Sequence, residues 1–455
     1  MVIVFVYAAI MLYMVAPAAA FVLCLIVFGS LLFLKKNTFL ERLMAVLVLS
    51  MPLYSISVFG LSVHHLFSWS TLFLVVFIVF SAAHLPAVSR GTIVASIVLV
   101  GTSVVTSALV SAPESAVFYY LVQQLLFIAP IMIAYLARKR LSSKLTPVGA
   151  EQLLVVATQT ITGTALAVIS QYVLYTFLGI SAGSVSFFGG GRVVFDLTFN
   201  AFSILSLFLG VGVVLNLLLF QKRPRIAYML GMVACFVGII ANTSRTGLVA
   251  AIVVSLWLIT FPARQSGRKR RPFLFLWLSG IAVIGVYIVD QFGVRGKLTG
   301  LLDDNGRVET YANALAIWVS SWKNFFFGIS YGGDGYPYMV PHNVVVEMLL
   351  RSGAVAAVVV LLLAYFLLRF FRGSEAQFPV AVLVIGAMIV SGIYAVKFMP
   401  VLVVLLILTT TKQSKDPNPL LHTVESPGRW LAGSFDFASV RARIRAARRD
   451  EETST

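Results

Sequence analysis

Residues Phe202–Arg225 read FSILSLFLGVGVVLNLLLFQKRPR: nineteen uncharged residues, Phe202–Phe220, followed at once by Lys222, Arg223 and Arg225. That length matches the roughly 20 residues a helix needs to cross a bilayer core of about 30 Å. The core holds no water to satisfy backbone N–H and C=O groups, so such a run must be a helix that satisfies them internally. A cationic cluster at its end marks a cytoplasmic loop.

The pattern repeats in both directions along the chain. Met1–Leu34, Met44–Val63, Leu66–Phe80, Gly91–Val110, Val117–Leu136 and Leu153–Leu178 precede this run. Ile226–Ile240, Leu248–Phe261, Phe273–Val289, Val344–Phe371, Pro379–Ile393 and Pro400–Thr411 follow it. These predict thirteen spans, or fourteen if Met1–Leu34 is a hairpin broken near Pro17. The expected fold class is an all-α integral membrane protein, a polytopic helix bundle of about 12–14 transmembrane helices. Composition agrees, with 60% of the 455 residues apolar and 11% charged, where a soluble domain carries about 25% charged residues. The short alternating segments of a membrane barrel are absent.

A net charge of +17 raises nucleic acid as a partner, but the placement of the charge argues for topology. Alternating the spans puts 26 of the 34 Lys and Arg residues in cytoplasmic loops or the tail, the positive-inside pattern. The eight left on the other side are Arg192, Arg245, Arg295, Lys297, Arg307, Lys323, Arg351 and Lys397. Cys24 and Cys235 lie within apolar runs, which excludes a disulfide framework and offers no metal spacing. Met1–Leu34 lacks a basic leader and reads as retained membrane helix.

The expected organisation is a membrane domain over 1–411 and a basic cytoplasmic tail over 412–455. In the tail, Phe437, Val440, Ile444 and Ala447 alternate with arginines as in a short helix lying on anionic lipid. A solvated basic tail fits equally well. Two extracytoplasmic loops stand out. One, near 179–199, holds Gly189-Gly190-Gly191-Arg192; the other, 290–341, is 52 residues long. Within the long loop, Val308–Trp322 reads as an amphipathic helix for a membrane surface.

Arginines on the cation-poor side need a reason to be there. Arg245, in Asn242-Thr243-Ser244-Arg245-Thr246-Gly247, occupies a tight turn between two spans. A guanidinium binds phosphate bidentately and stays charged, but an arginine at a helix end also snorkels to lipid headgroups. Together with Arg192 and Arg307, it could hold a diphosphate. His342 follows Pro341 and precedes Asn343 where the long loop re-enters the membrane. Its imidazole can take a proton from a hydroxyl near neutral pH, or it is structural, with Asn343 capping the next helix. Glu347 and Arg351, four residues apart, either support a site or neutralise each other. Asp303-Asp304-Asn305-Gly306 reads as a turn before it reads as a metal site.

Several segments occur in a telling order. They are Gly191-Arg192 with Phe199-Asn200-Ala201, Ser244-Arg245-Thr246-Gly247, Gly306-Arg307 with Trp318, Gly328 with Gly332-Gly333, His342-Asn343, and Glu347 to Gly353. This region, 189–353, resembles the bacterial O-antigen ligase and O-antigen polymerase superfamily. Two departures leave the subfamily open. Asn324-Phe325-Phe326-Phe327 stands where the family usually has a proline before glycine, and Val193-Val194-Phe195 replaces a usual glycine. The resemblance implies a GT-C-like membrane glycosyltransferase using undecaprenyl-diphosphate-linked glycan donors at the extracytoplasmic face of a bacterial inner membrane. It implies catalytic roles for His342, Arg245 and Arg307, and glycan or diphosphate binding by Arg192, Asn200, Asn343 and Glu347. No metal, cofactor or nucleic acid is expected; the partners are lipid-linked donor, glycan acceptor, bilayer and envelope proteins such as a chain-length regulator. Polymerase is preferred over ligation to lipid A-core or transfer to protein. A flippase or transporter ranks lower, because the ionisable residues gather at one face and no repeated halves are visible.

Overall fold

Five of the described helices begin where a side chain can close the first turn. Thr38 and Glu41 form a reciprocal capping box at the start of one helix, and Ser68, Thr146, Ser321 and Asn343 cap four others through side-chain oxygens. The computed structural model describes residues 1–33, 37–53, 68–85, 129–180, 185–188, 192–195, 202–242, 245–260, 307–329, 343–372, 374–387 and 399–410. The expected spans at 91–110 and 273–289, the tail 412–455, and most of the span at 117–136 lie outside the described residues.

The described part is helical. The elements are α1 (Val2–Val15), α2 (Pro17–Phe33), α3 (Phe39–Ser50), α4 (Trp69–Ala82), α5 (Pro147–Leu178), α6 (Phe202–Lys222), α7 (Ile226–Ala241) and α8 (Arg245–Thr260). They continue with α9 (Arg307–Val319), α10 (Trp322–Phe327), α11 (Val344–Phe371), α12 (Gln377–Ala387) and α13 (Met399–Thr410). The break between α1 and α2 falls at Ala16, so the first apolar run is two helices. Among the described residues, 148–178 and 203–222 form helices long and apolar enough to cross a membrane, and seven further helices are apolar but shorter.

One departure from the all-α expectation is a short antiparallel hairpin, β1 (Val185–Phe188) and β2 (Arg192–Phe195), which pairs Val185 with Phe195 and Phe188 with Arg192. Valine and phenylalanine favour strands, and both four-residue segments are rich in them. α5 ends just before it on Gly179, in a left-handed conformation (φ 65°), with the Ile180 amide donating back to the Leu174 carbonyl.

The core centres on α6, which packs against α5, α7, α8 and α12. Small residues let backbones approach: a side chain at Gly163 would meet the Ile3 carbonyl, and one at Gly212 would meet Ile161 and Cys235. Several polar groups in this interior find partners within or between neighbouring helices. Thr158, Thr160, Thr162 and Thr164 each donate to the carbonyl four residues back. Asn216 donates to the Gly212 carbonyl at 2.9 Å and to Thr162 Oγ1 at 3.2 Å, tying α6 to α5.

Contacts among charged residues bring the basic blocks to one end of the bundle. Arg223 pairs with Glu151 at 2.8 Å, and Lys222 pairs with Glu375. The Arg138 guanidinium lies 3.8 Å from the Tyr135 ring and 5.6 Å from that of Phe370. Glu41 accepts from the Thr146 amide and hydroxyl, and Lys144 donates to His84 Nε2 at 2.6 Å. The blocks near residues 42, 138–144, 222–225 and 369–372 thus converge.

Candidate functional site

The opposite end of the bundle is built from helix starts and stops. α5 runs away from the basic end and reaches Gly179, and the β-hairpin follows it. α6 starts at Phe202 and runs back, α7 returns to stop at Ala241, and α8 starts again at Arg245. Only three residues therefore separate Arg245, at the head of α8, from the end of its antiparallel neighbour. Gly247 makes this junction possible. Its amide donates to Ser206 Oγ at 3.2 Å, and a side chain there would overlap the Ser206 backbone. Thr246 and Asn242 are buried beside it. Arg192 opens β2 in the hairpin that links α5 to α6, so it belongs to the same end of the bundle as Arg245.

A second cluster forms where α9 and α10 dock on α11. α11 is not one straight helix: Gly353 has φ 74° and ψ −177°, a conformation open in practice only to glycine, and divides it. Gly328, at the end of α10, has nearly the same conformation, φ 74° and ψ −175°. The two glycines cross. A side chain at Gly328 would overlap the Arg351 carbonyl and Ser352 amide, and one at Gly353 would overlap the backbone of Phe326 and Phe327. The Ile329 amide donates to the Leu350 carbonyl at 2.8 Å, and Ala314, Ile329 and Leu350 bury each other beneath the crossing.

On this same half-helix, Glu347 and Arg351 form an ion pair at 3.0 Å with side chains 0% and 2% exposed. Asn343 caps the half-helix, its Oδ1 accepting from the amides of Val345 at 2.9 Å and Val346 at 3.2 Å. The capping reading of Asn343 and the ion-pair reading of Glu347 are thus the geometries present. Arg307 is the first residue of α9, which packs on α11. From Gly353, α11 continues for eighteen residues to Phe371 at the basic end, a rise of about 27 Å. The glycine crossing therefore sits near the end of the bundle that carries Arg192 and Arg245.

The sequence-derived residues thus fall into two groups at one end: Arg192 and Arg245 around the starts of α6 and α8, and Arg307, Asn343 and Glu347 around the start of α11. His342, Asn200, Asp303 and Asp304 lie outside the described residues. Sequence reasoning missed the partnership of Gly328 with Gly353 and of Ser206 with Gly247. A glycine in an otherwise regular apolar helix is the available signal for the first; the second has none, because its members are forty-one residues apart. No protein-family model matches this chain, and no curated protein matches it.

Proposed function

We propose that this chain is a polytopic inner-membrane glycosyltransferase that moves lipid-diphosphate-linked oligosaccharide units at the extracytoplasmic face, with glycan polymerisation as its reaction. The observation that carries the reading is the separation of its cations. The abundant basic blocks are tied together at one end, while Arg192 and Arg245 stand on helix and strand starts at the other. A helix start adds the positive end of its dipole to the charge of the arginine, which suits a diphosphate held at a membrane surface. Arg245, Arg307 and Arg192 would neutralise charge developing on the departing diphosphate. His342 would take the proton of the acceptor hydroxyl as that oxygen attacks the anomeric carbon. Asn200, Asn343 and Glu347 complete the binding surface, the last two by fixing the half-helix that follows His342. Ligation to lipid A-core or to a protein hydroxyl would use the same groups with another acceptor.

The test uses purified full-length protein with undecaprenyl-diphosphate-linked oligosaccharide, followed by product length on a gel. Arg245→Ala and Arg307→Ala should each lose transfer while remaining in the membrane, and lysine at either position should rescue poorly because it lacks the bidentate fork. His342→Ala should fall by about 10²–10⁴-fold. Excess chelator should leave the wild type active. Full activity of either alanine variant removes that arginine from the mechanism; loss with chelator and recovery with magnesium overturns the role given to the arginines.

A further inference from the structure

α9 divides into three faces. Successive residues turn by about 100°, so Val308, Ala312, Leu315 and Val319 lie within about 60° of one another along one side of the helix. All four are exposed, Val308 at 69% and Val319 at 60%. A second face, with Ala314 fully buried and Ile317 partly so, packs on α11. A third carries Glu309 and Asn313, both exposed, and the exposed Ser320 follows it just past the helix end. The exposed apolar face does not end with the helix. It runs on into Trp322 (74% exposed) and Phe326 (46%) on α10, with Lys323 between them.

We infer that α9 and α10 lie flat in the outer surface of the bilayer, with the Val308–Ala312–Leu315–Val319 stripe and the α10 aromatics immersed among lipid acyl chains. Three features select lipid as the occupant. The polar line of Glu309 and Asn313 is set about 100° round the helix from the apolar stripe, leaving a boundary between oil and water along the helix. Exposed tryptophan and phenylalanine beside a lysine is the composition of a membrane–water interface. And α11, the support on which α9 and α10 rest, itself exposes Val358, Leu361, Leu362 and Tyr365 beyond the glycine crossing. Such a helix sits with its apolar face about 5–10 Å into the headgroup boundary. It would thus form a floor beside Arg307, at the depth where a lipid-linked diphosphate travels.

This inference rests on the membrane reading proposed above, and its test separates the two. Single cysteines at Ala312, Leu315 and Val319, and at Glu309, Asn313 and Ser320, are introduced in a Cys24→Ala, Cys235→Ala background. They are spin-labelled in vesicles of phosphatidylethanolamine and phosphatidylglycerol. A label at Leu166, on the outer face of α5, reports the span itself. Labels at Ala312, Leu315 and Val319 should meet dissolved oxygen several-fold more than a water-soluble nickel chelate, and the other three the reverse. If the nickel chelate reaches all six positions, the stripe faces water and the inference falls. If neither reagent reaches the stripe, a protein surface or a second copy covers it, and lipid is excluded. If the Leu166 label also fails to meet oxygen, the membrane reading falls with it.

Discussion

Gly353 and Gly328 show how much a single atom decides here. Each holds a backbone conformation that other residues adopt only at a cost of about 1–3 kcal/mol, and each leaves the space through which the other's chain passes. Gly353→Ala should therefore undock α10 from α11 and lower the unfolding midpoint in detergent more than Gly179→Ala, whose side chain meets open space. Equal shifts for the two variants would show that strain alone, and not the crossing, matters. The buried Glu347–Arg351 pair yields a second expectation. Removing one partner leaves an uncompensated buried charge, a loss on the order of 3–5 kcal/mol, whereas replacing both with apolar residues of similar volume is often neutral or better. Glu347→Gln should destabilise strongly, and Glu347→Leu with Arg351→Met should recover much of the loss in a thermal-unfolding assay. No recovery would point to a role for the charges beyond neutralising each other.

At the scale of elements, the cap at Asn343 and the break near Pro17 were legible while partners were not. A cap needs only its own first turn, yet Thr38 with Glu41 and Thr146 with Pro147 start α3 and α5 ahead of the expected spans at Met44 and Leu153. The apolar run Val344–Phe371 was also readable, yet its division at Gly353 depends on α10 arriving from outside. The hairpin escaped the reading for a related reason. Four-residue strands in a loop carry too little periodicity to register against long apolar runs. Glu41 illustrates the difference: its capping role is local, but its bonds to Thr146 tie α3 to α5 across 105 residues. Glu41→Ala should cost more than the usual loss of a cap, about 1 kcal/mol, because the Thr146 amide and hydroxyl lose their acceptor with it.

For the whole molecule, the organising fact is polarity from end to end. Cationic blocks from four parts of the chain meet at one end through Glu41 with Thr146, Arg223–Glu151, Lys222–Glu375 and Arg138 near the Phe370 ring. This arrangement predicts sidedness in the cell: membrane-impermeant reagents should label cysteines placed at Gly190 and Gly333 from outside, and at Ser266 and Ser414 only after permeabilisation. Outside labelling at Ser266, or its absence at Gly333, would invert the topology and remove the assigned site from the face that the proposed reaction requires.

Helicity and the one-sided placement of cations followed from the sequence alone. Uncharged runs near membrane length have one way to satisfy their backbone, and charge blocks between them act through position along the chain. The arginines could likewise be picked out singly, as cations on the side that has few. Only the tertiary structure decided which helix starts share an end, that Ser206 receives Gly247, that two glycines interlock, and that α9 packs its Ala314 and Ile317 face on α11. Those outcomes depend on contacts between residues distant in sequence, and such contacts arise only when close packing brings particular surfaces together.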